Sequence, residues 1–178
     1  MENELHIYPI GRFKAPELVT PEMREEYILR LERFPARLRK VVSSISPKQL
    51  QLSYRENGWV ARQIIHHLAD SHMNAYIRFK LAFTEETPVI KPYEENAWSE
   101  LEEVSITPVE VSISLIESLH VRWINLLNSV PEHFFERAYY HPQYERNTSM
   151  NAALALYAWH AEHHLGQIEY IMNNTKAS

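Results

Sequence analysis

The sequence predicts an all-α protein, a four-helix bundle with a long crossover connection between helices two and three. Three observations carry that expectation. Only three glycines occur in 178 residues, too few for the positive-φ turns that hairpin-rich β folds use. Apolar residues recur at three- and four-residue steps in four separate stretches, each long enough for a helix of about 20 residues. The segment between the second and third, residues 84–107, is too long for a tight turn between antiparallel neighbours.

The first helix is expected over residues 21–45, with Ile28, Leu31, Phe34, Leu38, Val41, Val42 and Ile45 as its stripe. Thr20 reads as the N-cap and Pro21 as the first helical residue. Pro35 lies inside the pattern without shifting its phase, so a kink is expected and not an end. The second helix starts near Asn57 and Trp59 and runs to about Phe83, with Val60, Ile64, Leu68, Ala75 and Phe79 inward. The third opens at "TPVE", where Thr107, Pro108 and Glu110 read as N-cap, first residue and capping-box acid. It continues through Val111, Leu115, Leu119, Trp123 and Leu126 towards Val130. "PEHFFERA" reads as one short helical turn. The last helix opens around Thr148 or Ser149, with a stripe through Met150, Ala153, Leu154, Tyr157, Ala161, Leu165, Ile168, Ile171 and Met172. A connection as long as 84–107 can cross the end of the bundle or return along it, which would leave helices two and three parallel. Its Pro, Tyr and Trp content points to packing against the bundle. The chain, 1–178, reads as a single domain.

Composition narrows the function. Hydrophobic residues make up 45% and charged residues 23%, the balance of a soluble globular protein. Cysteine is absent, which excludes a disulfide framework, a thiolate zinc site and a cysteine nucleophile. The net charge is −5, and Arg33, Arg37, Arg39 and Lys40 fall on the polar side of one helix, so no nucleic-acid partner is expected. No stretch approaches the roughly 20 apolar residues of a membrane span. The first 20 residues lack the basic and apolar regions of a secretory leader. No membrane partner and a cytoplasmic location are therefore expected.

The chemistry concentrates in "WHAEHHLGQIEY", residues 159–170. His160 and His164 lie about 40° apart on one helix, both on the inward stripe, while His163 sits about 60° to the other side of His160. Two buried imidazoles need partners for their nitrogens, and the i, i+4 spacing is how helices present paired imidazoles to a divalent metal. A third donor is available in "ARQIIHHLADSHMNAYIRF". His67 shares the stripe of its helix, His66 rotates towards the edge beside Trp59 and Met73, and His72 remains an alternative. Asp70, three residues after His67, is placed to orient an imidazole or a catalytic group, or equally to be a surface acid. Zincin chemistry is excluded, because Ala161 follows His160 and Glu162 points about 200° away from it. Arg62, Asn74, Arg78, Tyr140, His141 and His163 are further candidates for a pocket wall. Arg78 could take an acidic substrate group, although a surface cation is the commoner outcome. His163 could be a general base near neutral pH or a solvated flank residue.

"GWVARQIIHHLADSHMNAYIRFKL", "TEETPVIKPYEENAWSEL" and "LYAWHAEHHLGQIEY" resemble the YfiT branch of the DinB-like superfamily, as do "YPIGRFK" and "YHP" at 140–142. The resemblance implies a four-helix bundle of crossover topology, a homodimer, and one divalent metal per chain, Zn2+ or Ni2+, on three histidines. By motif these are His67 (H-L-A-D), His160 and His164 (W-H-x-x-H-H), with Asp70 as the family's acid. It also implies one of two activities: metal-dependent hydrolysis, or thiol S-transfer joining a low-molecular-weight thiol such as bacillithiol to a small electrophile. Three neutral imidazoles leave the metal its full charge and an open position. That lowers the pKa of bound water to about 7 or deprotonates a thiol, so one site supports either chemistry. Thiol transfer is the expectation, with hydrolysis second and a small-molecule or metal-binding module third.

Overall fold

The computed structural model describes residues 6–174; residues 1–5, part of the stretch read for a leader, lie outside. Thr20 Oγ1 accepts from the Met23 amide at 3.3 Å and opens α1, Pro21–Val42. α1 runs through Pro35 but stops short of Ile45, because the Ser43 and Ser44 hydroxyls donate to the Lys40 and Val41 carbonyls and close the last turn. α2, Ala61–Thr84, starts later than its sequence suggests. Val60 is held in a bridge with Ser53 and its amide donates to Gln63 Oε1 at 3.0 Å, so Asn57 and Trp59 stay in the loop.

The crossover is ordered. It holds two short helices, α3 (Glu95–Ser99) and α4 (Glu102–Ile106), both against α2. Gln63 Nε2 donates to the Ser99 carbonyl at 3.0 Å and Arg62 Nη1 to the Thr107 carbonyl at 2.9 Å.

α5, Val109–Ser129, departs from expectation in two ways. Thr107 and Glu110 form no capping box, since Pro108 is the N-cap and Thr107 offers its carbonyl to Arg62. The inward face is Val109, Ile113, Ile116, Leu119, Trp123, Ile124 and Leu127, while Val111 and Leu115 are 55% and 42% exposed. Apolar residues nearly encircle the start of this helix, so more than one phase fits the sequence. Ile113→Ala should cost about 2–4 kcal/mol by chemical denaturation, whereas Val111→Ala should stay within about 0.5 kcal/mol. Equal effects would mean that the phase drawn from the structure is wrong.

"PEHFFERA" supplies a 3-10 turn over Glu132–Glu136. After it comes an antiparallel hairpin, β1 (Ala138–His141) and β2 (Arg146–Ser149), absent from the sequence reading. Its turn uses Glu145 at φ 50 where a glycine would signal it. β1 also pairs with the crossover: the Ile90 amide donates to the Tyr140 carbonyl at 3.1 Å and the Tyr140 amide to the Pro88 carbonyl at 2.9 Å. α6, Met150–Asn174, follows directly.

Side-chain pairings fix the direction of each long helix. Arg24 meets Asn151, and further along Arg37 meets Glu162, so α1 and α6 are parallel. His66 meets Ser112 and Phe79 meets Trp123, so α2 and α5 are parallel as well. Arg39 with Glu117 and Leu31 with His120 make α1 antiparallel to α5. His67 with His164 and Arg78 with Tyr157 make α2 antiparallel to α6. The order is up-down-down-up, with α1 and α2 on opposite corners. Phe34, Phe79, Trp123, Leu68 and Leu154 fill the shared core. No helix among the described residues is long and apolar enough to cross a membrane.

Candidate metal centre

Three imidazoles meet between α2 and α6. The Nε2 atom of His160 lies 3.2 Å from that of His67 and 3.1 Å from that of His164, and the three donor atoms fall within 4.8 Å of one another. Ligand nitrogens about 2.1 Å from an ion would be about 3.0 Å apart at neighbouring octahedral positions and about 3.4 Å apart in a tetrahedron. The two distances from His160 lie in that interval.

The protonation pattern points the same way. Gln167 Nε2 donates to the Ile7 carbonyl at 3.0 Å, so its Oε1 is the acceptor for His164 Nδ1–H at 2.8 Å. His164 Nε2 is then a bare lone pair. A neutral ring nitrogen either donates or accepts, so His160 Nε2 cannot satisfy both of its neighbours with good geometry. Burial pushes His67 down to about 4. Burial, reinforced by the surrounding imidazoles, holds His160 and His164 well below the usual histidine range. Three neutral imidazoles with converging lone pairs are a set of donors that a divalent cation fits.

The neighbouring candidates separate cleanly. His72 is engaged elsewhere through its Nδ1, which lies 2.8 Å from His120 Nε2, and His120 Nδ1 donates to the Leu31 carbonyl at 2.7 Å. That chain fixes both tautomers and leaves His72 Nε2 as an acceptor, with its ring 5.7 Å from His160. His120 carries no signal in the sequence, because its partner is 48 residues away. His66 is not at the helix edge; it is buried between α2 and α5, with Nδ1 2.7 Å from Ser112 Oγ. His163 is buried under the N-terminal segment, stacked on Trp159 at 4.5 Å and near Tyr8, and burial pushes it down to about 4. Pro9 crosses α6 at Gly166, where a Cβ would come within 2.8 Å of the proline ring. Trp59 covers His67 at 4.6 Å.

Asp70 is half-buried and its carboxyl is pushed up to about 6, by burial first and then by Glu103. It is hydrogen-bonded to none of the three rings. Asn74 bonds the Asp70 carbonyl within α2, Arg62 serves the crossover, and Tyr140 serves the hairpin backbone. A cleft of about 210 Å³ between α2, α6, the crossover and the hairpin has His160 in its wall, together with Arg78, Tyr93, His141 and Tyr157.

The sequence profile of the DinB superfamily matches residues 30–168. The chain is 45% identical over 161 residues to YfiT of Bacillus subtilis (strain 168), covering 90% of each protein. It is 48% identical over 161 residues to OB0782 of Oceanobacillus iheyensis, covering 90% of this chain and 92% of that one. Both relatives are named, provisionally, for metal-dependent hydrolase activity. A solved structure of B. subtilis YfiT superposes with a TM-score of 0.93 at 42% identity, over 98% of this chain and 99% of that one. It is described as a probable metal-dependent hydrolase with an unusual four-helix bundle topology.

Proposed function

The chain belongs to the DinB superfamily, and from that premise we propose that it is a metal-dependent enzyme whose His67, His160 and His164 hold one divalent cation, Zn2+ or Ni2+. Its activity on this reading is thiol S-transfer, joining a low-molecular-weight thiol such as bacillithiol to a small electrophile. The observation that carries the proposal is the convergence of three neutral imidazole nitrogens in a chain with no cysteine. A cation bound there supplies Lewis acidity, which lowers the pKa of a coordinated thiol or water.

The chain's own residues do the rest. Burial keeps the three rings unprotonated, Gln167 fixes the His164 tautomer, and Trp59 shields His67 from solvent. The sulfur must come from a cosubstrate. In the displacement the thiol loses its proton, a sulfur–carbon bond forms, and the leaving group departs with its bonding pair. Nothing is oxidised. Asp70, one turn after His67 on α2 and with its carboxyl pushed up to about 6, is on this reading the group that takes up the proton.

Hydrolysis is the second reading, favoured by the names of the relatives, with water in place of the thiol. Zinc- or nickel-loaded protein should conjugate bacillithiol to a haloarene faster than the thiol reacts alone. Metal-dependent cleavage of an ester or amide without conjugation would replace transferase by hydrolase. Neither reaction across a broad panel, with metal still bound, would leave a binding module.

A further inference from the structure

The cleft beside His160 holds polar groups that none of the steps above uses. Arg78 follows His67 by eleven residues, which returns it to nearly the same face of α2 about 16 Å further along. Its Nη1 donates to the Tyr157 hydroxyl at 3.0 Å. Tyr157 lies one turn before His160 on α6, and the two rings are 6.1 Å apart. One tyrosine therefore separates the guanidinium from the histidine cluster. Burial raises the Tyr157 hydroxyl to about 12, so it keeps its own proton while it accepts from Arg78. In the same wall His141 Nδ1 is buried with no hydrogen-bond partner, and the Tyr93 hydroxyl is buried beside Ser71. A buried polar group left without a partner is costly, and one beside a guanidinium marks a place for a ligand atom that can bond to both.

The charges lining the cleft are Arg78, Arg146 and Glu95, which sum to one positive charge with His141 neutral. Its donors include two planar guanidiniums and, near Arg78, the phenol hydroxyls of Tyr93 and Tyr157. That set suits a single carboxylate better than a phosphate dianion, which would face Glu95.

We infer that this cleft selects small substrates bearing a carboxylate, which Arg78 takes up with Tyr157 and Tyr93 while the reacting carbon lies at His160. The inference rests on the proposed function only for the statement of what happens at His160; the anion subsite can be read by binding alone.

The test uses a chlorodinitrobenzoate and its neutral carboxamide, with bacillithiol and zinc-loaded protein. The acid should be preferred over the amide by about tenfold or more in kcat/KM. Arg78→Met should abolish that preference by raising KM for the acid to the value for the amide. Arg78→Lys, which keeps the charge and guards against a folding defect, should retain part of the preference. In parallel, the unreactive dinitrobenzoate is titrated into the same proteins, and Arg78→Met should weaken its binding about tenfold or more. Acid and amide used equally by the wild type, or dinitrobenzoate bound equally by wild type and Arg78→Met, would overturn the inference. If no conjugate forms at all, the activity reading fails, and the titration alone decides the subsite.

Discussion

Alanine at position 160 is expected to yield protein without bound divalent metal and with conjugation at the uncatalysed rate. His160 Nε2 is the shared vertex of the cluster, in contact with the nitrogens of both His67 and His164. Removing it leaves two donors on separate helices. His67→Ala and His164→Ala should behave alike, whereas His66→Ala and His163→Ala should keep their metal after dialysis. The loss should also appear in the melting temperature, because a ligand bound only to the native state stabilises it by mass action. At a hundredfold excess of free metal over Kd this is worth about 2.7 kcal/mol, or roughly 5–10 °C for a chain of this size. Chelation of the wild type should produce the same drop with helicity intact. Full metal occupancy in the His160 variant would remove that residue from the site and the proposed chemistry with it.

The metal-free protein should lose stability steeply as the pH falls from about 6.5 towards 4. The effect is anchored in the His72–His120 pair, behind the cluster. Burial pushes His120 down to about 4 and His72, with His120 beside it, well below the usual range. In the unfolded chain both titrate near 6.5. Between the two values the unfolded state binds more protons, so stability is complete above about pH 6.5 and is lost progressively below it. For His120 alone the full loss is on the order of 3 kcal/mol. Urea midpoints of chelated protein at several pH values would measure it. Replacing both histidines by apolar residues should make the profile shallower by their share, the remainder staying with the buried rings of His67, His160, His163 and His164. A midpoint that does not move between about pH 7 and 4.5 in the wild type would show that these rings are accessible to protons in the native state.

What the sequence discloses about this protein divides by the range of the interaction. The Thr20 cap and the i, i+4 pair His160 and His164 are local, and both stand in the structure as spacing predicts. The parallel run of α2 and α5 was legible in the length of residues 84–107. The phase of α5 was not, since the face that wins is the one that brings Ser112 to His66 and His120 to His72. The hairpin escaped because Glu145 takes a conformation that sequence signals reserve for glycine. Gln167 carried no signal of its own, for its role depends on the Ile7 carbonyl brought across α6 from the other end of the described chain.

The up-down-down-up order has a consequence for how the chain is made. Among the four long helices, only α2 and α5 are both consecutive in sequence and packed side by side. α1 finds its neighbours in α5 and α6, and its Arg24 bonds Asn151 across 127 residues. In a simple up-down bundle each helix can zip onto the one before it. Here α1 and α2 emerge from the ribosome with apolar stripes and no long helix to cover them, only the short α3 and α4 against α2, until Val109 and the residues after it follow. Long-range closure of this kind slows folding relative to a local-contact bundle of equal size. It also exposes the nascent chain to aggregation or chaperone capture for the whole time that α5 is being synthesised.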